Sequence, residues 1–129
     1  KKGTEDSAGF DLMAAIKEKI TLKPSSTELI PAGFCLEMPK DFEAQVRPRS
    51  GLALKNSVTV LNSPGTIDAD YRGEVGVILI NHSKKNFDIH RGMRIAQIIF
   101  SRVPETVLIE KSSLSKTKRD QGGFGSTGV

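Results

Sequence analysis

Residues 73–81 decide the fold class, and they read Gly-Glu-Val-Gly-Val-Ile-Leu-Ile-Asn. In an extended chain, successive side chains point to opposite faces. The two valines and Leu79 therefore occupy one face of this segment, and the two isoleucines occupy the other. Because both faces are apolar, the segment predicts a strand that is covered on both sides.

Further short strands are predicted on either side of this segment. Within 42–46, apolar residues alternate with polar ones, which is the pattern of a half-buried strand. Only residues 50–56 read as a short helix, with Ser50 in the position of its N-cap. Strands this short and frequent predict an all-β fold, namely a sandwich, a jelly roll or a barrel. The other predicted strands are 29–38, 58–61, 94–100 and 106–110.

The composition describes one globular domain of 129 residues. A chain of this length buries roughly two-thirds of its unfolded surface, and it contains no apolar run of about 18 residues that would indicate a membrane span. Its net charge of +4 suits a small polyanionic ligand as well as a polymer. With one Tyr and no Trp, the chain offers little stacking surface for single-stranded nucleic acid. Neither a nucleic-acid nor a membrane partner is expected.

The single cysteine, Cys35, excludes an internal disulfide. The fold therefore does not depend on an oxidising compartment, and a cytoplasmic location is expected. We expect Cys35 to be a small buried hydrophobic residue rather than a nucleophile. His82 and His90 do not have zinc-binding spacing, and both are expected on the surface. The sequence begins at Lys1 rather than at Met, so residues upstream of it are expected.

The C-terminal segment 112–129 differs from the rest, because 10 of its 18 residues are Gly, Ser or Thr. It cannot bury enough apolar surface to offset its ordering entropy, so a solvated linker is one interpretation. The alternative is an anion-binding arm that folds on contact with a ligand, in which Arg119 adds positive charge and glycines beside Phe124 allow close backbone approach. The predicted domain division is a core at 1–111 and a flexible arm at 112–129.

Residues 47–52, Arg-Pro-Arg-Ser-Gly-Leu, are the first candidate anion site. They place a guanidinium, a hydroxyl and a glycine amide at the start of the predicted helix, where N–H groups and the helix dipole favour phosphate. Two surface arginines and a helix cap would give the same pattern, and both interpretations stay open. Asp11 lies two residues after Gly9, in a pattern that is more typical of a turn. Arg94 and Gln97 fit ordinary strand patterning.

The densest polar stretch is 62–73, in which Ser-Pro-Gly predicts a turn with Asn62 at its mouth. If the chain that follows is extended, Asp68 and Asp70 project to one face and Tyr71 to the other. Paired carboxylates act as a general base or bind a hydrated metal. They are equally common in turns, so the residues themselves leave these roles open.

Taken in order, these segments resemble the five motifs of the trimeric-type dUTP pyrophosphatase (dUTPase) family. The resemblance runs from Ser7 to Gly128, and the Gly-Gly-Phe-Gly-Ser-Thr-Gly motif near the C-terminus belongs to it. One departure is Asp120, which stands where many relatives carry glycine and is expected to weaken closure of the arm slightly. The matching segments are 8–15, 47–55, 62–76, 91–100 and 119–128.

The resemblance implies a single-domain β jelly roll that assembles as a homotrimer, with each active site built from three subunits. It implies hydrolysis of dUTP to dUMP and pyrophosphate with Mg²⁺. This reaction supplies dUMP for dTMP synthesis and limits uracil incorporation into DNA. The related dCTP deaminases share the jelly roll, but this sequence shows no equivalent of their deaminating residues.

The resemblance also assigns roles to individual residues. Asp68 would activate the water that attacks the α-phosphorus, and Tyr71 would pack against the deoxyribose and exclude a 2′-hydroxyl. Asp11 would reach Mg²⁺ through water. The predicted contacts to the uracil are made by Asn62, Phe124 and the hairpin residues Gly65, Thr66 and Ile67. The predicted contacts to the phosphates are made by Arg49, Ser50, Gly51, Gln97, Arg119, Ser126 and Thr127. Gly125 is a further predicted substrate-binding residue.

Overall fold

A computed structural model describes residues 2–126, which form nine β-strands and one α-helix. The all-β prediction is confirmed. No helix within the described residues has the length and apolarity needed to cross a membrane. The elements are β1 (Phe10–Met13), β2 (Ile20–Leu22), β3 (Thr27–Cys35), β4 (Phe42–Arg47), α1 (Ser50–Asn56), β5 (Val58–Val60), β6 (Gly65–Ile67), β7 (Glu74–Asn81), β8 (Phe87–Ile89) and β9 (Arg94–Arg102).

The strands pair in three antiparallel sheets in a jelly-roll-like arrangement. The first sheet has the order β1-β9-β4-β6, the second pairs β2 with β8, and the third has the order β3-β7-β5. All three sheets contribute side chains to one buried apolar cluster, which includes Leu12, Leu22 and Leu79. Burial of these side chains is the main favourable contribution to folding.

The strand β7 occupies the centre of the third sheet, as its apolar sequence predicts. Val75, Val77 and Leu79 are at most 1% exposed. The isoleucines on the other face, Ile78 and Ile80, are only half-buried. The expectation of two covered faces is therefore confirmed for one face, and the other face is covered only in part.

The helix is confirmed at Ser50–Asn56, but Ser50 is not its N-cap. Arg49 occupies the N-cap position in an extended conformation, and no side chain caps the helix there. Its end is marked by Ser57, whose φ of 53° places it in the left-handed region. The helix therefore begins immediately after the arginine that the sequence singled out.

Two other expectations are wrong. Residues 106–110 form no strand, because none of the described strands pairs with them and their side chains are exposed. Cys35 is exposed at the end of β3 rather than buried. His82 and His90 are exposed, as expected. Away from the core, Asp88 accepts hydrogen bonds from Lys19 and Thr21, and these bonds lower the pKa of its carboxyl.

Asn81, at the end of β7, is the buried polar side chain that ties the second and third sheets together. Its Nδ2 donates to the carbonyl oxygens of Leu22, at 3.0 Å, and of Lys85, at 2.8 Å. Its Oδ1 accepts from the backbone N–H of Ser83 at 2.9 Å. Every polar atom of this side chain therefore has a partner, as buried polar groups require.

Replacing this side chain by an apolar one of similar size is expected to destabilise the protein. Asn81→Leu leaves two carbonyl groups and one N–H without their partner, which costs about 2–4 kcal/mol of unfolding free energy. Urea unfolding measures the change. Asn86→Leu, in the same loop but exposed, is the matched control and is expected to change stability by less than about 0.5 kcal/mol. Equal stability of the two variants would contradict this role for Asn81.

Candidate active site

The first cleft lies where β1, β9 and the start of α1 meet, and it has a volume of about 340 Å³. Antiparallel pairing brings these segments together, since Gln97 of β9 stands opposite both Asp11 of β1 and Arg47 of β4. The chain leaving β4 then enters α1 at the rim of the cleft. Predicted site residues in the lining are Asp11, Arg49, Ser50, Gly51 and Gln97.

The Asp11 carboxylate is held by two arginines in this cleft. The Nε of Arg49 lies 3.1 Å from Asp11 Oδ1, and Nη1 of Arg94 lies 3.5 Å from Oδ2. The Asp11 side chain is 17% exposed and that of Arg94 is 56% exposed. Two guanidinium groups beside a small cleft can bind phosphate oxygens. The turn interpretation of Asp11 is therefore wrong, because the residue lies within a strand and lines the cleft.

Arg94 is a cleft residue that sequence reasoning missed. Alternation along β9 made it look like an ordinary exposed strand residue. No local signal marked it, because residues three apart on a regular strand point to opposite faces. Arg94 and Gln97 reach the same cleft where the pairing of β1 with β9 shifts register beside Leu12. In the structure Arg94 also accepts a long hydrogen bond from Arg49 Nη1 at its carbonyl oxygen, at 3.5 Å.

Gln97 fixes the backbone that carries Arg49. Its Nε2 donates to the carbonyl oxygen of Pro48 at 3.0 Å. A Cβ at Gly9 would lie 2.9 Å from Gln97 Oε1, so only glycine leaves the amide its present place. In this structure Gln97 therefore orients the segment before α1 while also lining the cleft.

The described residues contain no group of three or more His, Cys, Asp or Glu side chains that could hold a metal ion by themselves. Asp11 is the acidic residue that lines the first cleft. Mg²⁺ usually keeps several waters and takes one or two carboxylates together with substrate phosphates. A single cleft carboxylate beside two arginines that are able to bind phosphate fits that mode of binding.

The second cleft, of about 260 Å³, lies beside β6 and the start of β7. Pairing of β6 with β4 fixes the hairpin residues Thr66 and Ile67 at its edge. Gly65 is buried beneath Asn62, where a Cβ would lie 3.1 Å from Asn62 Nδ2. Predicted site residues in the lining are Asn62, Thr66, Ile67, Asp68 and Tyr71.

Asp68 follows β6 in a turn rather than in an extended segment. The N–H of Tyr71 donates to the Asp68 carbonyl oxygen at 3.1 Å and closes this turn. Asp68 lines the cleft, whereas the lining does not include Asp70. Asp68 and Tyr71 thus share one cleft, and the alternative in which Asp68 and Asp70 act as a pair has no support. Sequence reasoning missed Glu74 and Leu29, which line the same cleft.

The third group of predicted residues lies on the C-terminal segment. Arg119, Gly125 and Ser126 line an open concavity, and Phe124 is fully exposed with a φ of 50°. Within 112–126, the hydrogen bonds that the structure shows close inside the segment, as between Arg119 Nε and the Gly122 carbonyl oxygen. Thr127 lies outside the described residues.

One copy of the chain therefore carries its candidate residues in three places. The two clefts share no lining residue, and of the described part of the C-terminal segment, 112–126, no residue lines either cleft. One cleft is cationic and suits a phosphate chain. The other combines two acidic residues, an aromatic ring and an amide, which suits a nucleoside and a reacting water.

Comparison with known proteins identifies relatives over almost the whole chain. A family model described as dUTPase matches residues 1–128. The deoxyuridine 5'-triphosphate nucleotidohydrolase of Rickettsia felis is 58% identical over 126 residues, which is 98% of this chain and 85% of that protein. The protein of the same name from Rickettsia prowazekii is 56% identical with the same coverage.

Solved structures share the fold at low sequence identity. A dUTPase mutant of Staphylococcus bacteriophage 80alpha, solved with dUpNHpp, has a TM-score of 0.90 and 22% identity, and the match covers 100% of this chain and 90% of that one. A dUTPase mutant from phage phi11 of S. aureus, whose structure describes a structural Mg(II) ion, has a TM-score of 0.80 and 19% identity over 90% of each chain.

Proposed function

The chain belongs to the dUTPase family, and from this premise we propose that it hydrolyses dUTP to dUMP and pyrophosphate. The observation that carries the proposal is the division of chemistry between the two clefts. The cationic cleft suits a triphosphate, and the cleft that contains Asp68 and Tyr71 suits a deoxynucleoside and a water. The reaction would supply dUMP for dTMP synthesis and keep uracil out of DNA, in the cytoplasm.

Asp68 acts as the general base in this proposal. Asp68 lines the nucleoside cleft, on a turn that a backbone hydrogen bond closes. From there it orients a water molecule and accepts its proton as the water attacks the α-phosphorus. Pyrophosphate then leaves from the α-phosphorus, and dUMP remains.

The nucleoside is recognised by the hairpin and by Tyr71. Asn62 and the backbone of Gly65–Ile67 present hydrogen-bonding groups to the uracil. A cytosine leaves some of these groups unpaired, and that loss supports discrimination against it. The Tyr71 ring packs against the deoxyribose and leaves no room for a 2′-hydroxyl.

The triphosphate is held by Arg49, Ser50, Gly51 and Gln97, as phosphoryl transfer depends mainly on positioning and charge stabilisation. Asp11 would contact Mg²⁺ through water. When bound, Mg²⁺ supplies neutralisation of the phosphate charge. Because Asp11 is paired with Arg49 in this structure, both side chains exchange partners when substrate binds.

The complete site forms between copies of the chain in a homotrimer. The separation of the two clefts in one copy supports this arrangement, since a nucleoside triphosphate must reach both kinds of chemistry. The C-terminal segment 112–129, whose described part is almost entirely exposed, acts as an arm that closes over the site of a neighbouring subunit. Phe124 then stacks on the uracil while Arg119, Gly125, Ser126 and Thr127 contact the phosphates.

Release of pyrophosphate from dUTP tests the proposal directly. The purified protein is expected to release one pyrophosphate per dUMP with Mg²⁺ present, and EDTA is expected to abolish the reaction because the phosphate charge then loses its metal partner. An assay for ammonia release from dCTP runs in parallel. Ammonia release without pyrophosphate would replace the proposal by deamination, and binding of dUTP without turnover would reduce the protein to a binding module.

A further inference from the structure

The ring of Tyr71 lies directly against the backbone of Gly73. A Cβ built on Gly73 would collide with the Tyr71 hydroxyl and would lie 2.5 Å from Cζ and 2.9 Å from Cε2 of the ring. Real side chains do not approach so closely, and the ring is the group that would have to move. The conformation of Tyr71 therefore depends on the absence of a side chain two residues later.

The Tyr71 hydroxyl is held by the residue that follows Gly73. It donates a hydrogen bond to the carbonyl oxygen of Glu74 at 3.1 Å. Tyr71 is 46% exposed, so packing alone does not fix its ring. A contact with Gly73 on one side and a hydrogen bond to Glu74 at the tip together determine where the ring stands.

The side chain of Glu74 fixes this acceptor in turn. Its Oε1 accepts a hydrogen bond from the N–H of Gly33 at 2.9 Å. Gly33 has a φ of +83° and lies where the pairing of β3 with β7 shifts register, between Pro31 and Cys35. The carboxylate thus replaces a ladder hydrogen bond that the irregular strand cannot make, and it anchors the start of β7.

We propose that Gly73 and Glu74 are positioning residues that seat the Tyr71 ring and so determine how strongly the site discriminates 2′-deoxynucleotides from ribonucleotides. The inference rests on the proposed function, since Tyr71 serves there as the wall against the deoxyribose. Neither residue needs to touch the substrate for this role. Displacement of a positioning group by about 1 Å is enough to change a rate strongly.

Because Tyr71 is the sole tyrosine of the chain, the position of its ring can be measured without substrate. Because the protein contains no Trp, its intrinsic emission comes from Tyr71. In Gly73→Ala and Glu74→Ala, the displaced ring is expected to be quenched more strongly by acrylamide than in the unaltered protein. Glu74→Gln is the matched control, because its amide oxygen still accepts from Gly33 and its quenching is expected to stay at the unaltered level.

The kinetic readout is the ratio of kcat/KM for dUTP to that for UTP. Gly73→Ala is expected to lower this ratio about 10- to 100-fold, and Glu74→Ala about 5- to 10-fold. Glu74→Gln is expected to stay within about twofold. In a Tyr71→Ala background, neither substitution is expected to lower the ratio further, because the residue through which both act is gone.

Several results would overturn the proposal that Gly73 and Glu74 position the Tyr71 ring. Unchanged quenching and an unchanged ratio in both Gly73→Ala and Glu74→Ala would do so, and so would a further loss of discrimination in the Tyr71→Ala background. Urea unfolding of each variant identifies a general loss of folding. Such a loss would raise acrylamide quenching and lower stability together, and it would do so in Glu74→Gln as well. Failure of the unaltered protein to hydrolyse dUTP would overturn the proposed function. Altered quenching in the variants would still confirm that Gly73 and Glu74 position the Tyr71 ring.

Discussion

Asp68→Asn is expected to lower kcat by about two to four orders of magnitude with a much smaller change in KM. Asparagine keeps the shape of the side chain and its place on the turn after β6, but it cannot accept a proton from water. The proposal assigns the uracil and phosphate contacts to other residues, so binding is expected to be largely retained. Steady-state pyrophosphate release across a range of dUTP concentrations measures both constants.

The neighbouring carboxylate provides the control for this experiment. Asp70 lies in the same turn and is exposed, but it does not line the nucleoside cleft. Asp70→Asn removes the same charge a few residues away and is expected to keep kcat within about threefold of the unaltered value. Near-normal turnover in Asp68→Asn, or equal losses in the two variants, would remove Asp68 from the role of general base.

Removal of the arm is expected to have the second large effect. A chain that ends at Ser115 lacks Arg119 and Phe124, and kcat/KM for dUTP is expected to fall by about two to three orders of magnitude. The loss is expected because the proposed arm would supply phosphate contacts and shield the closed site from water. Measurement of kcat/KM for the full and shortened chains gives the size of the effect.

The shortened chain is expected to keep its folded core. Residues 112–126 are almost entirely exposed, and their hydrogen bonds close within the segment. The urea midpoint and the sedimentation coefficient, corrected for mass, are therefore expected to match those of the full chain. Phe124→Ala, which removes only the ring, should lose less activity than the truncation. An active truncated enzyme would refute the arm.

The sequence predicted strands well where they carry their own apolar pattern. Segments such as 42–46 and 73–81 read correctly because their alternation or apolar runs report burial directly. Strands of three or four residues, such as Ile20–Leu22 and Phe87–Ile89, are too short to show a period. Residues 106–110 carry the apolar content of a strand, yet a strand also needs a partner, which composition cannot supply.

In the candidate site, too, residues in a local sequence pattern were predicted, and residues whose role depends on distant partners were not. Asp68, Tyr71 and the Arg49 segment were found because they lie in dense polar motifs. Arg94 was overlooked because its significance comes from Asp11, which stands on a strand far away in the sequence. Glu74 was overlooked for a similar reason, since its partner Gly33 belongs to an irregularity of β3 that no local pattern announces.

The place of β9 between β1 and β4 has a consequence for biosynthesis. The first strand of the chain waits for a partner at Arg94–Arg102, so its sheet cannot close while the ribosome is still making the first two-thirds of the protein. Long-range pairing of this kind folds slowly, and the unpaired edges are open to aggregation in the meantime. A premature stop codon before β9 would therefore yield unfolded chains that proteases degrade. A stop codon just after Ser115 would still yield a folded core.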